Sequence, residues 1–230
     1  MHILLSIMLL SGCAGPRPSD KQKLLRQELK KWESFDSHGI AEISYMGLAL
    51  RKMFFAAKNK DQFRLDILDG GLMGAGAKPL LSFYTGNYTS FASPMLPMLE
   101  MLSPNDMIPS NSFGLFAFSD SLMARYGQSI IATYMLEIDG LKVSFLKDFR
   151  LDKVLDTKSN SELKAVYNNS SLSELEIRGP DDMSIRLIFD EIKYIEPEIV
   201  PLPKSTSTFQ WDGSEMNLKQ LIKDFLRNKR

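Results

Sequence analysis

The chain has 230 residues with 28 Lys and Arg against 28 Asp and Glu, a balance that leaves no net field to draw in a nucleic acid. At 44% hydrophobic and 24% charged it has the composition of an ordinary globular protein, long enough for one large β domain or two small ones. A single cysteine excludes an intrachain disulfide, and two histidines exclude a His-rich metal site.

The apolar run Ile3 to Leu10 carries no charge but falls well short of the roughly 20 residues that span a bilayer as a helix, so residues 1–12 read as a signal peptide. Leu10-Ser11-Gly12-Cys13 resembles the lipobox of bacterial lipoproteins, in which small residues admit the signal peptidase and the cysteine thiol takes a diacylglyceryl group. The resemblance implies lipidation at Cys13, removal of His2 with the leader, and a lipidated tether over residues 13–19. Three acyl chains exceed the single chain that gives only marginal membrane attachment. Ala14 after the cysteine resembles the enterobacterial signal for the outer membrane, which implies an anchored protein facing the periplasm.

Leu24, Leu25, Leu29 and Trp32 recur at helical spacing, with Ser19 or Asp20 as N-cap, and predict a helix at the start of the main domain, residues 20–195. Short β-rich runs follow: 39–50, 52–68, 79–92, 129–149, 162–169, 172–179 and 183–195. Turn residues separate them, at Asn59-Lys60, Gly86-Asn87, Asp139-Gly140, Asn168-Asn169 and Gly179 to Asp182. About ten strands joined by hairpins predict an antiparallel meander rather than βαβ units. The fold class is therefore mainly β with flanking helices, as one curved sheet or partial barrel.

Two helical stretches interrupt the strands. Residues 93–110 are dense in Met and Leu and are cut by Pro97, Pro104 and Pro109, which predicts short helical pieces. Residues 196–230 form a C-terminal extension, in which a Pro- and Ser/Thr-rich linker precedes an amphipathic helix with Leu218, Leu221, Ile222, Phe225 and Leu226 on one face.

The residues give little support to enzymatic chemistry. His38 reads as a surface or strand-edge residue, and Asp181-Asp182 as a solvated turn. The glycine-rich stretch Asp69 to Pro79 fits neither nucleotide-binding spacing and leads into a strand, not a helix. There Leu72 and Met73 either tuck back against the sheet or present an exposed apolar tip that binds something. Met95, Met98, Leu99, Met101, Leu102, Met107 and Ile108 either pack as core or form a conformable lid over an apolar cavity.

The helix ending in Trp32-Glu33-Ser34-Phe35, then "GIAEISY", "DQFRLDILDGGLMG" and "MLEMLSPNDMIPSNSFGLF", resembles the LolA/LolB family of bacterial lipoprotein carriers and receptors. The resemblance covers roughly Leu24 to Ile195, and "IVPLPKSTSTFQW" is similar to the LolA C-terminal region. It implies a half-open β-barrel covered by short lid helices, with an apolar interior that receives acyl chains or lipoproteins. Together with the lipobox it implies the LolB-like, membrane-anchored side, with a soluble LolA-like carrier as partner, no cofactor and no bond chemistry. LolB proteins carry an exposed leucine after an arginine-containing strand; Leu72, beyond Arg64, falls at the matching place and is implied as the membrane-transfer residue. The residues also admit a second reading, a periplasmic scaffold lipoprotein whose sheet is filled by its own side chains and whose surface binds a protein partner.

Overall fold

The computed structural model describes residues 18–45, 48–70, 78–93, 116–179 and 183–203. Helix α1 (Pro18–Lys31) leads into strands β1 (Ser34–Tyr45), β2 (Leu48–Asn59), β3 (Gln62–Asp69), β4 (Lys78–Thr85) and β5 (Thr89–Ala92). Helix α2 (Ser119–Thr133) precedes β6 (Met135–Ile138), β7 (Leu141–Phe145), β8 (Leu151–Asp156), β9 (Ser161–Asn168), β10 (Ser171–Arg178) and β11 (Ser184–Lys193).

All eleven strands form one sheet in the order β5-β4-β3-β2-β1-β11-β10-β9-β8-β7-β6, with antiparallel pairing throughout. It consists of two meanders joined at the β1·β11 seam, where Ile40 lies opposite Ile188. Among the described residues the edges are β5 and β6, so the sheet is open, as expected of a mainly β fold with a half-open barrel. Sheets of this many strongly twisted strands curl rather than stay flat.

The turns follow from residues that accept positive φ. Asp139 and Gly140 adopt φ of 50° and 87°, the primed hairpin geometry that matches the twist of the flanking strands. Lys60 and Asn169 also have positive φ, and the turns at Lys60-Asp61 and Asn169-Ser170 sit one residue beyond the pairs read from sequence. Gly39 marks a register shift on β1. A Cβ there would fall inside contact distance of the Ile188 carbonyl oxygen and 2.9 Å from the Asp190 nitrogen, so only glycine lets β1 and β11 approach.

Strand alternation divides the sheet into two faces. Phe35, Phe54, Ala56, Phe63, Leu65 and Phe83 point to the inner face, where Leu25 and Leu29 of α1 and Leu122 and Ile130 of α2 join them in one core. Helix α1 begins at Pro18, so Ser19 and Asp20 lie in its first turn rather than at the cap; proline suits the first helical position and Asp20 suits the positive end of the dipole. The helix ends at Lys31, and Ser34 and Phe35 already belong to β1.

Two further expectations are corrected. Ser129 to Thr133, read as the start of a strand, completes α2, and the strand begins at Met135. Ile130 and Ile131 favour β structure locally, yet Ser119, Leu122 and Ile130 turn one side of a helix onto the core, and burial of that side prevails over propensity. Residues 196–203, read as part of a linker, lie along the outer face. Ile199 and Leu202 pack there on Tyr84; the Asn59 amide donates to the Pro197 carbonyl at 3.1 Å, the Ser90 hydroxyl to the Pro203 carbonyl at 2.7 Å, and the Tyr88 hydroxyl to the Leu202 carbonyl.

Candidate functional site: an apolar cavity beneath the helices

Both meanders and both helix ends contribute to one cavity on the inner face. The first meander supplies Phe35, Ala56, Lys58, Phe63 and Leu65, and the second supplies Leu151, Val154, Leu163, Leu175, Ile177 and Leu187, with Phe189 near the seam. Trp32, just past α1, and Phe116, just before α2, complete the wall, with their rings 6.0 Å apart. The volume is about 30 Å³, more than the roughly 10–15 Å³ that one water needs, but the walls offer almost no polar partner to hold one. An alkyl segment fits that chemistry better than solvent does.

Lys58 is the charged residue in this wall, and its side chain is only 2% exposed. Alternation explains the placement. Lys58 follows Phe54 and Ala56 on the inward side of β2, opposite Phe35 on β1 and Phe63 on β3. Its stem lines the cavity while the ammonium turns to the strand end and donates to the Lys60 carbonyl at 2.6 Å and the Glu33 carbonyl at 3.2 Å. Burial pushes its pKa down to about 8, against the carboxylates of Glu33 and Asp61, which raise it. A buried ammonium that keeps its charge needs such acceptors.

Glu33 organises the same end. Its carbonyl also accepts the Lys60 amide at 2.8 Å, and its carboxylate accepts the Ser119 amide of α2 at 2.6 Å. Phe118, the residue at the N-cap of α2, makes no side-chain cap. The distant Glu33 therefore satisfies one of the orphan amides of that helix start.

The inner face beyond β3 continues the apolar surface, with Phe63 6.2 Å from Phe83 and Phe83 opposite Phe91 on β5. On the outer face the chain is more polar. His38 lies on β1 between β2 and β11, so it is a surface residue of an interior strand; its ring is 5.9 Å from that of Phe55 and 4.0 Å from Glu191. Among the described residues, no group of three or more His, Cys, Asp or Glu side chains converges as a metal site would require, and no helix is long and apolar enough to cross a membrane.

Cys13, Leu72, Met73, Met95, Met98, Leu99, Met101, Leu102, Met107 and Ile108 lie outside the described residues, as do Asp181, Asp182 and the C-terminal helix expected near Met216 to Arg230. Their flanks are described. Asp69 and Lys78 pair across β3 and β4, so the stretch bearing Leu72 joins two neighbouring strands, and Phe116, the first described residue after the Met/Leu-rich stretch, lies in the cavity wall. Sequence reasoning missed Lys58, Glu33 and Phe116 as site residues. For Lys58 a signal existed, since the alternation Phe54, Ala56, Lys58 puts a lysine in phase with two inward residues.

No family model matches the chain, and no curated protein matches it in sequence. Among solved structures, it is similar to the crystal structure of a DUF1329 family protein from Desulfovibrio piger. The identity is 10% and the TM-score 0.34, over 79% of this chain and 94% of that one.

Proposed function

We propose that the protein is a non-enzymatic acyl-chain-binding lipoprotein, anchored through Cys13 in the outer membrane and facing the periplasm, that takes acyl chains or lipoproteins in transfer to that membrane. The observation that carries this reading is the cavity: helices and an open sheet enclose a space whose wall is aliphatic and aromatic except for the buried Lys58. Each methylene moved from water into such a space contributes about 0.8 kcal/mol, so a chain passes from a carrier to a site that buries it better without any bond being made or broken. The lipobox supports the anchoring, and the resemblance to the LolA/LolB family supports the transfer role and a soluble LolA-like carrier as partner.

The alternative is a scaffold lipoprotein that binds a protein partner. The small volume of the cavity, about 30 Å³, and the outer-face residues Met53 and Phe55, each 44% exposed, favour it. Purification without detergent, followed by lipid mass spectrometry and titration with a fluorescent fatty acid, separates the two. The acyl-binding reading expects co-purified lipid or saturable probe binding, and the absence of both leaves the scaffold reading. For the anchor, Cys13→Ser should abolish acyl labelling and release the protein from membranes; unchanged labelling would overturn the lipoprotein assignment.

A further inference from the structure

The cavity is bounded by buried side chains except at Trp32 and Phe189, which are only partly buried. Trp32 touches Phe116, which is 4% exposed. Phe116 is followed by the start of α2, and that start lacks a side-chain cap of its own. Ala117 and Ser119 are buried there, and the polar contact at that start is the Glu33 carboxylate, which accepts the Ser119 amide at 2.6 Å across 86 residues of sequence. Among the described residues, a charged link between the two helices, Arg26 to Asp120 at 3.6 Å, joins side chains that are 61% and 83% exposed, and pairs of that kind hold little. Phe118, between the plug and the helix, is 59% exposed, so its ring adds little to that hold.

We propose that the segment Phe116 to Ser119 is the gate of the cavity, with Phe116 as plug, Trp32 as its seat and the Glu33 carboxylate as the latch. Releasing the latch frays the first turn of α2, because an uncapped helix start leaves its amides unsatisfied. Phe116 then leaves the wall on the side where Trp32 already meets solvent. Glu33 also holds the Lys58 ammonium through its carbonyl, so the fixed side of the gate is tied to β2 and opening is confined to the α2 side. The proposal rests on the acyl-chain reading for what passes through, but the opening itself is measurable without a ligand.

The experiment uses the full chain carrying Trp211→Phe, so that Trp32 is the one fluorescent indole. In Glu33→Ala, acrylamide quenching of Trp32 and hydrogen exchange at the Ser119 amide should both increase, the exchange by about fivefold, which is the size of effect that losing a cap has on a helix start. Glu33→Gln keeps an acceptor oxygen and should lie between. Phe116→Ala removes the plug but not the latch, so it should expose Trp32 while leaving exchange at Ser119 as it was; it keeps the idea testable if Glu33→Ala does not fold. With a fluorescent fatty acid, association and dissociation should accelerate together in Glu33→Ala, leaving Kd little changed, because the latch is not part of the bound site. Unchanged quenching and exchange in a folded Glu33→Ala would overturn the gate. Increased quenching with no fatty-acid binding by any variant, wild type included, would keep the gate and overturn the acyl-chain reading.

Discussion

The Arg64 guanidinium donates a 2.6 Å hydrogen bond to the Val200 carbonyl, and so ties β3 to a segment 136 residues further along the chain. The same guanidinium holds both oxygens of Asp66, at 2.8 and 3.2 Å, and Asp66 also accepts the Ser82 hydroxyl at 2.5 Å from β4. One arginine thus joins two strands and the outer segment.

Arg64→Ala should therefore lower stability by about 1–3 kcal/mol, the cost of leaving a largely buried acceptor without its partner. The Asp66 carboxylate is only 18% exposed and would keep the Ser82 hydroxyl alone. Arg64→Lys should restore only part of the loss, because an ammonium lacks the planar fork that meets two oxygens and a carbonyl at once. Urea unfolding of the three proteins decides it; if Arg64→Ala matches wild type, the outer segment is not held through Arg64.

Gly39→Ala should be the most damaging single methyl in the sheet. The added carbon meets the backbone of β11 at Ile188 and Asp190, not the end of a flexible side chain, so neither strand relieves the clash without breaking the seam between the meanders. A loss at or above about 3 kcal/mol, the upper end for overpacking, is expected in thermal or urea unfolding. A loss below about 1 kcal/mol would show that the seam is softer than its register implies.

The strands were legible because their turns carry their own chemistry: Asp139-Gly140 needs no tertiary information to read as a hairpin. The inward set was legible for the same local reason, alternation. Helix α2 was not, because Ile130 and Ile131 resemble a strand start when read alone, and only the core they face makes the four-residue spacing from Tyr126 to Ile130 meaningful. The outer segment was illegible for a different reason. Pro197, Pro201 and Pro203 look like linker composition, and the donors that fix it, Asn59, Arg64, Tyr88 and Ser90, lie more than a hundred residues away. At the site, the apolar wall follows from strand pattern, whereas the Glu33 carboxylate on the Ser119 amide is a contact between distant parts of the chain that no local signal encodes.

Lys58 gives a pH signature with a definite sign. Its folded pKa is pushed down to about 8 from the ordinary value of 10.5, so between those values the unfolded chain binds more protons than the native one and stability rises with pH. The penalty is full below pH 8. Raising pH from 7 to 10 should add about 2–3 kcal/mol to wild type relative to Lys58→Met. The comparison with Lys58→Met matters because burial holds the Tyr84 and Tyr167 phenols above their ordinary range, which lowers stability above pH 10 in both proteins. Parallel curves for wild type and Lys58→Met would mean that Lys58 titrates normally.

Leu72→Glu and Met98→Glu should separate delivery from uptake. If Leu72 stands on an exposed tip, the charge changes stability by only about 0.5 kcal/mol, yet it opposes contact with the bilayer interior and should impair transfer of a bound fatty acid to liposomes. If Met98 faces the cavity, an unpaired carboxylate there should reduce uptake itself. Wild-type behaviour of both variants in binding and transfer would remove these two positions from the mechanism.

Filling the cavity tests its function without introducing charge. Ala56 is 3% exposed, lines the cavity and faces inward from β2 between Phe54 and Lys58, so a larger apolar side chain there grows directly into the space that an acyl chain would take. Ala56→Leu adds three carbons, more than enough to occupy the cavity, and should fold at a cost of about 1–3 kcal/mol, the usual range for extra core methylenes. The same substitution should weaken fatty-acid binding at least about tenfold, since removing room for two methylenes costs about 1.6 kcal/mol at 0.8 kcal/mol each. Leu175→Ala, across the cavity on β10, should do the reverse: it destabilises by about 2–5 kcal/mol and leaves a larger apolar void, which tightens binding of the probe or admits a longer chain. Calorimetric titration of the two variants against wild type provides the reading. If Ala56→Leu binds the fatty acid as wild type does, the chain lies elsewhere; if Leu175→Ala also leaves affinity unchanged, the cavity is a packing defect and the surface, not the interior, carries the function.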